Sequence, residues 1–201
     1  MDERVLNDAM QTFRIEAESL AETAKAMDTE AFRLAVDTLA KAPRIAASGC
    51  GHSGIACRHF AHLMCCIERP ARFLSPAEAL HGGMGFLQAG DVMLLASRGG
   101  KTDELMPIAD ICHQKDVTVL AVTENSVSPL AEAADIVLTV RITRECDPYN
   151  CQGTTSFAVM NAVFDALQVA VLENTGFRNE EFAVIHPHGA VGKRLNQKER
   201  N

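Results

Sequence analysis

The chain has little with which to grip a nucleic acid: no tryptophan, one tyrosine, and no run of Lys or Arg interleaved with aromatic rings. Nineteen basic residues stand against 26 acidic ones, so a backbone-tracking groove is excluded and nucleic acid is not an expected partner. An anionic ligand would have to be drawn in by a local cluster of donors against a net charge of -7. The start, "MDERVLNDAMQTFRIEAESL", lacks an apolar core of signal-peptide length, and no stretch is expected to reach the roughly 18 apolar residues of a membrane span. The expectation is a cytoplasmic protein that does not enter a membrane. The seven cysteines (50, 57, 65, 66, 112, 146, 151) are odd in number and show no C-x-x-C spacing. They read as reduced thiols, most of them acting as small apolar side chains, rather than as a disulfide framework. Repeats, low-complexity tracts and linkers are also missing, and only "NQKERN" at the end forms a polar tail. With 201 residues, 47% of them hydrophobic and seven prolines, a single domain over 1–201 is expected.

The apolar pattern supplies the architecture. Val5, Leu6, Ala9, Met10, Phe13, Ala17 and Leu20 recur at helical spacing, and a second helix from about Asp28 carries Phe32, Leu34, Ala35, Val36 and Leu39. Pro43 closes this helical extension, residues 1–42. Over 43–196, short apolar runs ("RIAAS", "ARFL", "DVMLLAS", "VTVLAV", "DIVLTV") alternate with amphipathic stretches, predicting helices over 53–68, 102–115 and 154–174. Strands buried on both faces and alternating with helices indicate an α/β fold with a parallel, doubly wound sheet.

In such a sheet ligands bind beyond the carboxyl ends of the strands. The loops at those ends are "SGCGHSG" (48–54), "SPAEALHGGMG" (75–85), "SRGGKTDE" (97–104), "TENSVSPL" (123–130) and "RITRECDPYNCQGTTS" (141–156). Gly49, Gly51 and Gly54 match the dinucleotide spacing G-x-G-x-x-G. That motif also wants an acid at the end of the second strand to hold a ribose hydroxyl, and "ARFLSP" offers none. A bare phosphate fits better. Helix starts after the first, third and fifth strands carry Ser53, then Ser97 and Thr102, then Thr154, Thr155 and Ser156, beside backbone N–H groups that a helix leaves unpaired. Any one of these is an ordinary N-cap; three on successive loops of one sheet edge point to an anion nest.

The loops "GCGHSG", "SPAEALHGGMG", "SRGGKTDE" and "HPHGAVGKRL" resemble those of sugar isomerase (SIS) domains, and within them the arabinose 5-phosphate isomerases. The resemblance spans about residues 5–196. It implies a three-layer αβα sandwich on a five-stranded parallel sheet of flavodoxin-like order, assembled as a homodimer or homotetramer with active sites at subunit boundaries. It also implies aldose–ketose isomerisation of a sugar phosphate, ribulose 5-phosphate and arabinose 5-phosphate being the expected pair, with neither metal nor other cofactor. Longer members carry a tandem pair of CBS domains after this point, and the regulation these provide is expected to be absent.

Such a reaction passes through an enediolate and needs a base at carbon, a hydroxyl-proton shuttle and donors for the developing oxyanion. By resemblance, Glu104, Glu145 and His186 occupy catalytic positions and His81 an active-site position. Glu145 is expected to be the carbon base, its pKa tuned upward in a closed pocket, with His186 and His81 as proton relays. Gly51, His52, Ser53, Ser97, Arg98, Lys101, Thr102, Thr154 and Thr155 are the expected substrate and phosphate contacts. Three departures stand out: His52 replaces the lysine of G-x-G-K-S-G, "SRGGKT" replaces S-x-S-G-E-S/T, and His188 and Val191 alter HPGGALG. Arg98 and Lys101 would then supply phosphate donors. Drift of this kind also suits a non-catalytic sugar-phosphate sensor, and an isomerase of a different sugar phosphate is a further reading. A metal on His59, His62 and Cys66, spaced along one helix face, lacks a fourth ligand, and a buried helix face explains it more simply.

Overall fold

The computed structural model of the protein describes residues 2–197; the last four residues of the polar tail lie outside them. The strands are β1 (Ile45–Gly49), β2 (Ala71–Phe73), β3 (Val92–Ala96), β4 (Thr118–Thr123) and β5 (Ile136–Thr139). Every pairing is parallel and the order is β2-β1-β3-β4-β5, the expected flavodoxin-like sheet. The helices are α1 (Glu3–Ala26), α2 (Thr29–Lys41), α3 (Gly51–Cys65), α4 (Pro76–Ala79), α5 (Met106–Gln114), α6 (Pro129–Glu132), α7 (Thr155–Thr175), α8 (Asn179–Ile185) and α9 (Gly189–Gln197).

Successive side chains of a strand point to opposite faces, and here both faces are buried. Ile45, Ala47, Val92, Leu94, Ala96, Leu120 and Val122 pack with α2, α3 and α7, around Phe60 and Phe164. Ala46, Met93, Leu95, Val119 and Ala121 turn the other way, onto Ile108, Ala109 and Cys112 of α5 and Ala79 of α4. The αβα layering therefore follows from continuous apolar strands.

α7 is the central helix of the first layer, with Val159, Met160, Val163, Phe164, Leu167 and Val171 buried. By length and composition alone it is long and apolar enough to cross a membrane, contrary to the expectation that no stretch reaches that size, but here those apolar side chains pack into the core. The difference arises because between its polar ends only Asn161, Asp165 and Gln168 interrupt the apolar residues. α1 is turned unexpectedly. Its buried positions are Ile15, Ser19 and Thr23, while Leu6, Met10, Phe13 and Leu20 of the predicted apolar face are exposed. Ser19 and Thr23 explain this: their hydroxyls accept the backbone N–H groups of Thr143 and Arg141 beyond β5, at 3.0 and 2.9 Å.

Two boundaries differ from expectation. The helix after β1 starts at Gly51 rather than Ser53, and the stretch from Thr102 opens as a 3-10 turn, Asp103–Leu105, before α5. Both shifts come from loop glycines: Gly51 and Gly100 have positive φ, +54° and +65°.

Candidate active site

The strand order reverses between β1 and β3, and a cavity of about 510 Å³ opens beyond their carboxyl ends. Its wall includes Gly49 at the end of β1, Cys50 and Gly51 after it, Ser75 after β2, Glu104 after β3, and Arg58 on α3. Gly49 and Gly54 let β1 and α3 meet: a Cβ on Gly54 would lie 2.5 Å from the Gly49 carbonyl oxygen. The first intrahelical bond of α3 runs from Gly54 N–H to Cys50 O, which leaves the N–H groups of Gly51, His52 and Ser53 for a ligand. Ser53 therefore sits inside the first turn, and the cap position belongs to Cys50, which makes no side-chain cap bond. Burial, and secondarily the Glu104 carboxylate, raise the Cys50 thiol pKa, so this thiol stays protonated.

Arg58 was not anticipated. It follows Gly51 and Gly54 at steps of seven and four residues, the same helix face, and that spacing is the signal that could have found it. Its guanidinium lies 4.0 Å from the centre of the Phe73 ring, which fixes a cation on the cavity wall.

The third helix terminus does not join the nest. Glu145, 1% exposed, places one carboxylate oxygen against the N–H of Thr154 (2.9 Å), the hydroxyl of Thr154 (3.1 Å) and the N–H of Ser156 (3.2 Å). The other oxygen accepts from Arg98 at 2.7 Å. Burial alone would raise this carboxyl; the Ser156 and Thr154 bonds and Arg98 outweigh it, so its pKa lies below the usual glutamate range. This corrects the expected upward tuning. The α7 start was read as a phosphate seat and is instead filled by the protein's own anion, because the loop after β5 folds back on it. Thr155 is fully buried, its hydroxyl 3.2 Å from the Cys146 sulfur.

Arg98 is likewise committed. Its Nε donates to Glu124 at 3.1 Å while its other arm holds Glu145, so it is not an unpaired phosphate donor in this arrangement. Ser97 and Thr102 bond each other at 2.8 Å, and Ser97 Oγ accepts the Gly100 N–H at 3.1 Å, shaping the loop that delivers Glu104. Lys101, Glu104 and His81 are exposed, with no ion pair among the described residues. His52 meets Phe157 edge-on, ring centres 6.1 Å apart, above Gly153.

His186 is elsewhere. Its ring lies 5.0 Å from that of Phe182 on α8, and Phe182 lines a cavity with Leu172, Phe177 and Cys66 at the far end of α7. α7 has 21 residues, about 31 Å of helix at 1.5 Å each, so the same chain's Glu145 and His186 stand at opposite ends. On α3, His59 pairs with Asp165 at 3.2 Å and His62 with Cys66 at 3.6 Å, so the suggested ligand face is divided between two partners.

The SIS domain family signature matches residues 38–170. The arabinose 5-phosphate isomerase GutQ of Escherichia coli is 35% identical over 195 residues, which is 97% of this chain and 61% of that protein. The arabinose 5-phosphate isomerase KdsD of Pseudomonas aeruginosa is 38% identical over 157 residues, 78% of this chain and 48% of its own length. The chain thus spans about three fifths or less of these relatives. Among solved structures, a provisionally named sugar-phosphate isomerase of Listeria monocytogenes superposes with a TM-score of 0.89 at 38% identity, covering 94% of this chain and all of that one.

Proposed function

Since the chain belongs to the SIS domain family, we propose that it is a sugar-phosphate aldose–ketose isomerase, with arabinose 5-phosphate and ribulose 5-phosphate as its expected pair. Its relatives carry the names of such isomerases. One observation carries the reading: the unpaired N–H groups of α3, the Arg58 cation and the Glu104 carboxylate border one cavity at the switch point. The first two suit a phosphate, and the third is an acid on the same cavity wall that could serve the carbonyl end of the sugar.

In this reading Glu104, rather than Glu145, moves the proton. Its carboxylate takes the C1 proton of ribulose 5-phosphate, the carbonyl oxygen at C2 receives a proton, and the enediol so formed is reprotonated at C2 while the hydroxyl at C1 loses its proton to give the aldose. Glu145 acts as a fixed anion behind the loops. His186, remote in its own chain, would be supplied by a second copy, and the exposed Leu6, Met10, Phe13 and Leu20 of α1 favour self-association. We read residues 1–42 as an extension of one domain, and the setting as cytoplasmic. The test is solvent exchange in deuterated water followed by NMR across a panel of sugar phosphates. The wild type incorporates deuterium next to the carbonyl. E104Q loses about 10²–10⁴-fold in exchange while a sugar phosphate still raises its melting temperature. Binding without exchange in the wild type would install the sensor reading, which the His52, Gly99 and Lys101 departures favour.

A further inference from the structure

Arg98 stands at an x position of the loop pattern S-x-S-G-E-S/T, so the pattern itself assigns it no task. In the structure it reaches two carboxylates on different loops, Glu124 after β4 and Glu145 after β5. Its own carbonyl accepts the Glu124 N–H and the Thr123 hydroxyl, both at 2.9 Å. Glu145 in turn is bonded to the α7 start, and its own N–H donates to Asn150 Oδ1 at 2.6 Å. A planar guanidinium can serve two carboxylates from separate edges, which an ammonium cannot do with the same fixed geometry.

We propose that Arg98 is a positioning residue rather than a phosphate ligand: with Glu124 and Glu145 it clamps the loops after β3, β4 and β5 together, and so holds the loop that carries Glu104 against the cavity. The clamp rests on the isomerase reading for its effect on turnover, and on geometry alone for its effect on the fold. Glu124 enters as the second anchor, setting the angle of the guanidinium from its Nε edge. The groups facing Glu145 are Arg98, Glu124 beyond it, Cys146 and Asp147 of its own loop, and the hydroxyls of Thr154 and Ser156; the Asp147 carboxylate is occupied by the N–H groups of Tyr149, Cys151 and Gln152. Arg98 is thus the one cation in contact with Glu145 among the described residues.

The experiment compares wild type, R98Q, R98K and E124Q on the full chain, by kcat and KM across pH and by thermal melts across pH. A displacement of Glu104 by about 1 Å lowers kcat about 100-fold, and R98Q shows this loss with KM changed less than about threefold. R98K recovers part of the loss, and E124Q, which leaves the Glu145 arm in place, loses about tenfold or less. Without its cation Glu145 titrates higher, so in R98Q the acid-side fall of both kcat and melting temperature moves to higher pH. Should R98Q not fold, R98K and E124Q carry the comparison. A KM raised more than about tenfold with kcat retained identifies a phosphate ligand and overturns the clamp. Unchanged kinetics and unchanged melts in all three variants also overturn it. A wild type that turns over no sugar phosphate overturns the isomerase reading, and the melts then decide the clamp by themselves.

Discussion

Glutamine at position 145 keeps the shape of the side chain and removes its charge. One edge of the new amide donates and the other accepts, whereas both edges of the native carboxylate accept, from Arg98 on one side and from Thr154 and Ser156 on the other. Whichever way the amide turns, its NH₂ confronts donors in a site that is 1% exposed. Removing one partner of a buried, hydrogen-bonded ion pair costs about 3–5 kcal/mol, and Glu124, still bonded to Arg98, places E145Q at the lower end. At about 2–4 °C per kcal/mol for a chain of this size, about 3 kcal/mol lowers the melting temperature by about 6–12 °C near neutral pH. The pH dependence gives a sharper check. A carboxyl held below its unfolded pKa stabilises the fold fully above that unfolded value, about 4.3, and loses this contribution as pH falls through the folded value. The gap between wild type and E145Q is therefore widest at pH 6–7 and closes as the pH is lowered past about 4. Melts by circular dichroism at both ends of that range measure it. A gap that stays constant with pH, or no gap at neutral pH, would refute the view of Glu145 as a buried fixed anion.

Two further substitutions probe what holds the cavity open. G54A drives a Cβ to 2.5 Å from the Gly49 carbonyl oxygen, a backbone atom that cannot step aside without moving β1 from α3, so the midpoint in urea should fall by the equivalent of about 2 kcal/mol or more. A midpoint within error of wild type would mean that the two elements slide at little cost. D91A removes a fully buried carboxylate that accepts the Arg44 N–H (3.1 Å), the Gln88 N–H (2.7 Å) and the Arg44 side chain (2.9 Å) below β3. The expected loss is about 3 kcal/mol in the same assay, with KM for the sugar phosphate unchanged because Asp91 lies at the opposite end of the strand from the cavity.

The sheet was legible because four of its strands, β1, β3, β4 and β5, are largely apolar runs of four to six residues, and burial on both faces leaves few other ways to read them, whereas the edge strand β2 is three residues long and half exposed. Gly49, Gly51 and Gly54 marked the first βα turn by spacing alone, and Glu104 was recognisable as an acid just beyond β3. Helix starts were harder. Ser53 and Thr154 carry the side chains of N-caps, yet the start of α3 is set by the positive φ of Gly51, and that of α7 is satisfied by Glu145, nine residues before Thr154. A propensity for capping is local, and the group that actually caps is chosen by how a long loop folds back. The orientation of α1 was hidden for a related reason: two hydroxyls bonding the chain beyond β5, more than a hundred residues away, outweighed an apolar stripe that points to solvent in the single chain.

Charge pairing is the least local property of all, and it divides the two glutamates. Both are acids in loops at the same sheet edge, and nothing in the neighbourhood of either in sequence says which one is free to meet a ligand. The structure separates them by environment: Glu145 has four donors within 3.2 Å and almost no exposure, while Glu104 is exposed on the cavity wall and has no ion pair among the described residues. A carboxylate already saturated by its own protein is a poor proton acceptor, because every bond that stabilises its charge opposes its protonation. In the proposed isomerase, proton transfer is therefore assigned to the weakly held acid and rigidity to the strongly held one. Arg98 connects the two roles, since it belongs to the loop of the first and bonds the second.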